Sequence, residues 1–267
     1  MNLLSIIAFV LAGTVLLFGM STAGDWHFFL DPHAFFIVVG GSLAAGSIAF
    51  QVDRIAMLFK VFVRRVLRGQ KEDYRQLIRE LMILAEAYRT NAASFDKLVK
   101  DTRDYFLKEA IQAMLDDVLQ GDELVRVLRT RVATIFSRHT EDVIKLKTIG
   151  KYPPAFGLMG TTLSMITLLQ KLGEPGGQKL IGPAMALGLV ATFFGLALAN
   201  LVFQPIAENL HDSARENRIK NIIIVEGVRL IALKTNPIVL AEELNSYLLP
   251  SERIDWKAIK NLGADET

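Results

Sequence analysis

Two long runs near the end of the chain, Tyr152–Gln170 and Leu180–Pro205, contain no Asp, Glu, Lys, Arg or His. Each is long enough to cross the hydrocarbon core of a bilayer as a helix, which takes about 20 apolar residues. In that core every backbone N–H and C=O must find its partner within the protein, so an apolar run of this length becomes a helix. Between them lies Gly173-Glu174-Pro175-Gly176-Gly177, a turn-forming segment. The pattern predicts a transmembrane hairpin and confines the rest of the chain to forms compatible with one.

Each run carries a stripe of small and hydroxyl residues. Gly157, Gly160, Thr161 and Ser164 fall at i, i+3, i+4 and i+7 of the first, and Gly188, Ala191, Thr192, Gly195 and Ala199 line one face of the second. Small residues let two backbones approach, and hydroxyls there bond across helices or line a polar path. The stripes therefore admit two readings, a packing seam within one chain or the wall of an ion path. Ion relays in membranes normally use an ionisable side chain. Neither run has one, so an ion path here requires a partner chain to supply it.

Towards the N-terminus, Leu3–Met20 and Ala34–Val52 are two further apolar spans, the second rich in Gly, Ala and Ser. No Lys or Arg precedes Leu3, so the first span reads as a retained membrane helix rather than a cleaved signal peptide. Basic residues set orientation. Arg54, Lys60, Arg64, Arg65 and Arg68 follow the second span, whereas 21–33 has no Lys or Arg. This places 53–151, and with it both termini, in the cytoplasm. Lys171 and Lys179 in the outer loop are a weaker signal in the opposite sense.

Charged residues make up 22% of a chain that is 51% hydrophobic, and they collect outside the four runs. Leu77, Leu81, Leu84 and Tyr88 recur at helical spacing, as do Leu107, Ile111, Met114 and Val118. Asp122 reads as an N-cap. The run Glu123–Ile149 has no breaker, and the pattern predicts one long helix entering the third span with a bend at Pro153-Pro154. After Pro205 a helical extension continues to Asn236-Pro237, and a short helix (Ile238–Leu249) follows. The expected fold is all-α: a transmembrane hairpin (1–52), a cytoplasmic helical region (53–151), the second hairpin (152–205) and a cytoplasmic helical tail (206–267).

The chemistry of an ordinary enzyme is missing from the pattern. There is no Cys, and His27, His33, His139 and His211 are scattered without metal-ligand spacing. No Gly-rich phosphate loop and no nucleophile constellation occurs, so no cofactor and no resident metal are expected. The Arg64–Arg68 cluster beside a span is explained by topology and anionic lipid rather than nucleic acid. Pro154 and Pro205 stand at the cytoplasmic ends of the last two spans, at what the sequence suggests is matching depth. They read either as simple kinks or as a pair of hinges.

The segments PPAFGLMGTTLSMITLL, IGPAMALGLVATFFGLALANLVFQPIAENL and EGVRLIALKTNPIVLAEELNSYLLPSER closely resemble the flagellar motor stator A-subunit family (MotA/PomA), within the MotA/TolQ/ExbB superfamily. The resemblance spans the whole chain in span order and loop size, and is most specific in 150–253. It implies an ion-conducting stator unit of the bacterial inner membrane. Five A subunits would surround two copies of a single-pass B subunit whose membrane Asp carries the ion, and the cytoplasmic region would push on the rotor's switch-complex protein. By the same resemblance Pro154 and Pro205 match the family prolines tied to gating and torque. Thr161 matches a third-span position that is often Thr in sodium-driven members, and Thr192 the fourth-span Thr facing the B-subunit Asp. Arg89 resembles the rotor-facing Arg. Asp96 lies near its acidic counterpart, which ungapped spacing would put at Lys97.

Two other readings compete. An ExbB/TolQ-like energiser of outer-membrane processes has three spans, and the N-terminal hairpin argues against it. A passive membrane scaffold would tolerate changes at Thr192 or Pro154. Thr161, Thr162 and Thr192 together form a hydroxyl-rich path, which leans the transported ion towards Na⁺ over H⁺.

Overall fold

The computed structural model describes residues 3–23, 29, 31–50, 57, 60, 73–116 and 121–255, and every regular element among them is helical. The chain forms two compact units, Met1–Gln70 with His139–Asp212, and Lys71–Arg138 with Ser213–Thr267.

In the first unit, α1 is Leu3–Ala23. Helix α2 covers Pro32–Ala49 and includes a π-helical turn at Phe36–Gly40. Asp31 caps α2 by accepting from the His33 and Ala34 N–H groups at 2.7 and 3.2 Å, and Pro32 opens it. The last turns of α6 (Gly121–Ile149) belong to this unit, followed by α7 (Tyr152–Leu172) and α8 (Ile181–Ala197). A π-helical segment, Leu198–Phe203, joins α8 to α9 (Gln204–Ala232). Among the described residues, Pro32–Ala49 and a window within Gly177–Ala232 are long and apolar enough to cross a membrane, and Val10–Thr22 is a shorter apolar helix. Of the basic cluster after the second span, Lys60 is helical and exposed. Arg54, Arg64, Arg65 and Arg68 lie outside the described residues.

The expected single helix from Glu123 into the third span does not form. Helix α6 ends at Ile149, a turn follows at Gly150 and Lys151, and α7 starts at Tyr152. The two prolines are the cause. Proline cannot donate the hydrogen bond that a continuing helix needs, and its ring strikes the carbonyl four residues back. In the first turn of a new helix those N–H groups have no intrahelical partner anyway. Pro153 and Pro154 therefore open α7 instead of bending a helix already under way. Pro205 sits inside continuous helical structure immediately after the π-helical segment Leu198–Phe203. Asp122 also differs from expectation: it lies inside the first turn of α6, where its charge suits the helix dipole, and not at the cap.

The second unit contains α3 (Tyr74–Thr90), α4 (Ala92–Asp101), α5 (Tyr105–Leu115), the first part of α6, the last part of α9, and α10 (Pro237–Asn245). Side-chain oxygens of Asp73, Asn91, Asp104 and Asn236 cap α3, α4, α5 and α10, each satisfying donors that the first turn leaves orphaned. Ile78, Leu81, Leu107, Ile111, Leu128 and Ile224 are fully buried in one aliphatic core. Helix α9 ends at Ala232, ahead of Asn236-Pro237, and is closed at Lys234. Lys234 adopts a left-handed φ of 53°. The Thr235 N–H reaches Leu230 O at 3.0 Å and the Lys234 N–H reaches Ile231 O at 2.8 Å, a Schellman closure. Downstream, Asn245 holds Ile254 through both backbone groups, at 3.0 and 2.9 Å.

Candidate functional site

The two small-residue stripes face each other. A Cβ on Gly157 would lie 2.8 Å from Ala191 O, one on Gly160 2.7 Å from Ala191 Cβ, and one on Gly195 2.5 Å from Pro153 O. Gly157, Gly160, Gly188, Ala191 and Gly195 are all buried. These contacts make the stripes the packing seam of the α7–α8 hairpin. Helix α2 joins the same seam: a Cβ on Gly41 would overlap the Phe156 ring, and Ala34 and Val38 pack with Val190 and Ala191.

Hydroxyls stitch the seam at its middle. Thr161 Oγ1 and Thr192 Oγ1 are 2.6 Å apart. Thr161 also reaches Gly188 O at 2.9 Å and Gly157 O at 3.3 Å, and Thr192 reaches the same carbonyls at 3.4 and 3.3 Å. Four oxygens, two hydroxyl and two carbonyl, thus converge in a half-buried cluster. A turn further along, the Ser164 hydroxyl donates to Ala184 O across the hairpin. Thr162 does not join them. It is exposed and donates within its own helix to Met159 O at 2.8 Å, because it stands one residue, about 100° of helix, away from Thr161.

The prolines are not at one level. Gly195 of α8 packs against the backbone of Pro153 and Pro154. Pro205 lies ten residues beyond Gly195, about 15 Å further at 1.5 Å per helical residue. It neighbours Ile206 and Ala207, which pack on Val143 and Leu146 of α6. The expectation of matching depth is corrected accordingly. Sequence counting placed both prolines at a span end, but α6 and α7 are separate helices and α8–α9 is one continuous run.

In the second unit, Arg89 near the end of α3 pairs with Glu86 at 3.5 Å. Asp96 is exposed on α4, and among the described residues no ion pair joins it to Arg89. A charge cluster that sequence reasoning missed centres on Glu226 of α9. It is 7% exposed and meets Arg229 at 2.6 Å and Arg129 of α6 at 3.6 Å. The hydrogen bond to Glu226 holds the Arg229 pKa above its ordinary value, outweighing the opposing effect of burial. The sequence signal was a Glu flanked by Val225, Gly227 and Val228 in an aliphatic run, where an acid must be paired.

A profile of the MotA/TolQ/ExbB proton channel family matches residues 99–221. Motility protein A of Borreliella burgdorferi is 30% identical over 259 residues, covering 95% of this chain and 96% of that protein. Chemotaxis protein PomA of Vibrio alginolyticus is 26% identical, covering 95% and 98%. Among solved structures, a chain of the flagellar MotAB stator complex from Bacillus subtilis superposes with a TM-score of 0.81 at 22% identity, covering 93% of this chain and 97% of that one.

Proposed function

This chain belongs to the MotA/TolQ/ExbB proton channel family, among its flagellar stator A subunits, and we propose that it conducts Na⁺ along the Thr161–Thr192 cluster and turns that flow into torque. One observation carries the reading: a converging set of four oxygens, Thr161 Oγ1, Thr192 Oγ1, Gly157 O and Gly188 O, in a hairpin whose apolar runs have no ionisable side chain. Hydroxyl and backbone carbonyl oxygens suit a partly dehydrated Na⁺. The carboxylate that completes its shell comes from a single-pass B partner. The small seam residues are used up inside one chain, so the partner meets the hairpin where the half-buried Thr161 and Thr192 reach its surface.

The architecture that goes with this function has four spans in the inner membrane, 1–52 and 152–205, with 53–151, 206–267 and both termini in the cytoplasm. Five copies ring a B dimer, bathed in membrane lipid. Helices α6 and α9 each supply residues to both compact units, which supports mechanical coupling from the ion cluster to a rotor-facing surface at Arg89. Pro205, with the π segment before it, is the joint on α9. Pro154 sets the start of α7, and its substitution acts by shifting where α7 begins. One charge crossing a potential of about 100 mV releases about 2.3 kcal/mol, enough to bias a rotation step held by weak repeated contacts.

Full-length coverage of motility proteins favours a stator over an ExbB/TolQ-like energiser. The test is complementation of a stator-deleted host with this chain and its cognate B subunit, with swimming speed titrated against external Na⁺ at fixed pH. Speed should rise and saturate with Na⁺. Speed indifferent to Na⁺ but abolished by a protonophore would replace sodium with protons. Assembly without motility would defeat the stator reading.

A further inference from the structure

Residues 251–254 are fastened to the second unit by side chains. Asn245, 6% exposed, donates to Ile254 O at 3.0 Å and accepts from the Ile254 N–H at 2.9 Å. Arg75, in the first turn of α3, donates to Ser251 O and, at 3.3 Å, to Glu252 O. Ile254 itself is buried in the aliphatic core. Asp255 is thereby held close to the start of α3. From Arg75 one face of α3 runs on through Arg79, Met82, Glu86 and Arg89, at i+4, i+7, i+11 and i+14. With Ile83, and with Asn236, Pro237 and Ile238 at the start of α10, those four line a groove of about 540 Å³. Its floor is apolar: Ile83 is 56% exposed, and Met82 and Ile238 are half-buried. Glu86 and Arg89 form an exposed pair at 3.5 Å.

We propose that residues 256–267 of the same chain, WKAIKNLGADET, seat in this groove and cover it. The order of the segment matches the groove read away from Arg75. Trp256 and Ile259 come first, for Met82 and Ile83. Lys260 follows, for Glu86. Asp265 and Glu266 come last, for Arg89 and the positive end of the α10 dipole. The reach matches as well. Arg75 to Arg89 is about 21 Å at 1.5 Å per helical residue, and a twelve-residue tether has an r.m.s. reach of about 17–21 Å. A tether whose reach equals the span gives the highest effective concentration, on the order of mM, so contacts too weak to hold a free peptide suffice here. Exposed ion pairs contribute little to that affinity. The apolar residues supply most of it, and the charges set the direction in which the segment lies. While it is seated, any other partner of Arg79 and Arg89 must displace it.

The test uses the full chain in native membranes, with cysteines introduced at chosen positions because the sequence has none. In Ile83→Cys a water-soluble maleimide should react about tenfold more slowly than in the same variant truncated after Asp255. That is the ratio a tether concentration of about 1 mM gives against a contact of about 0.1 mM affinity. The truncation leaves Arg75, Asn245 and Ile254 in place. Adding Ile259→Asp to the full chain should speed the labelling as truncation does, and Ile259→Leu should not. Oxidation of the pair Ile83→Cys and Ile259→Cys should close a disulfide within one chain, read as loss of both thiols at unchanged mass. Equal labelling with and without residues 256–267 would overturn the proposal. So would protection that survives Ile259→Asp, since bulk alone would then explain it. A disulfide joining two chains would overturn it too, because the occupant would then belong to a second copy.

Discussion

The α7–α8 hairpin and the helical unit around α3 are packed in opposite senses. In the hairpin the small residues face inward and the large ones outward: Gly157, Gly160 and Gly195 are buried, whereas Leu158, Leu163 and Leu169 are more than half exposed in the single chain. Around α3 the large aliphatics Ile78, Leu81 and Ile224 are fully buried and, apart from the paired Glu226, the described charges are not buried. With the hairpin in the bilayer, as proposed above, two solvents account for the inversion. In water, burying aliphatic surface drives association at about 25 cal/mol per Å². Between lipid tails that drive vanishes, and helices associate through close backbone approach and hydrogen bonds. The same chain thus uses contact distance in one region and apolar area in the other.

Adding one carbon tests the comparison most severely. At Gly195 a new Cβ lies 2.5 Å from the backbone oxygen of Pro153, which cannot move without displacing α7. Gly195→Ala is expected to abolish assembly and motility, as read by native gel and swimming. At Gly227 the new Cβ meets the end of the Leu81 side chain at 2.7 Å. That end can rotate, so Gly227→Ala should cost about 1–3 kcal/mol, a drop in detergent melting temperature with the complex still formed. Equal damage at the two glycines would break the distinction.

Removing carbon sharpens it from the other side. Leu81→Ala, in the aliphatic core, should cost about 2–5 kcal/mol through the cavity it leaves. Thr161→Val, in the hairpin, removes a hydroxyl and little volume. Its stability cost should be about 1 kcal/mol, with conduction lost well before assembly. Glu226→Gln falls between them, at about 1–3 kcal/mol, because it leaves Arg229 and Arg129 without a carboxylate. The Arg229 pKa is raised, so Arg229 stays charged across the neutral range and its contribution is lost only as pH rises through the raised value. Melting of the wild type should show no inflection from this pair across the neutral range. The smallest effect is expected at Lys234→Gly, which relieves a left-handed residue and should stabilise by about 1 kcal/mol or less.

The sequence made the helices and the small-residue stripes legible because a 3.6-residue period survives in one dimension. It also made legible that the last two apolar runs lack an ionisable group. Other features depended on which faces meet. Thr161 and Thr162 are adjacent letters, yet a 100° step sends one into the oxygen cluster and the other to the outer face. Pro154 and Pro205 were both read as bends, but where a proline falls relative to a helix start decides whether it opens a helix or interrupts one. The stop at Lys234 was hidden because lysine rarely takes the left-handed conformation that glycine would have advertised. Arg79 and Ile83 were hidden for another reason. Their groove exists only once α10 lies beside α3, far along the chain.

The proposed mechanism has ion flow through the Thr161–Thr192 cluster power rotation. Swimming speed in a stator-deleted host, with the cognate B subunit and external Na⁺ titrated at fixed pH, tests it most directly when wild type and Thr192→Val are run side by side. The wild type should show saturating Na⁺ dependence, and Thr192→Val near-zero speed with the complex recovered in full. A Thr192→Val complex that swims as fast as wild type, at every Na⁺ concentration, would contradict it.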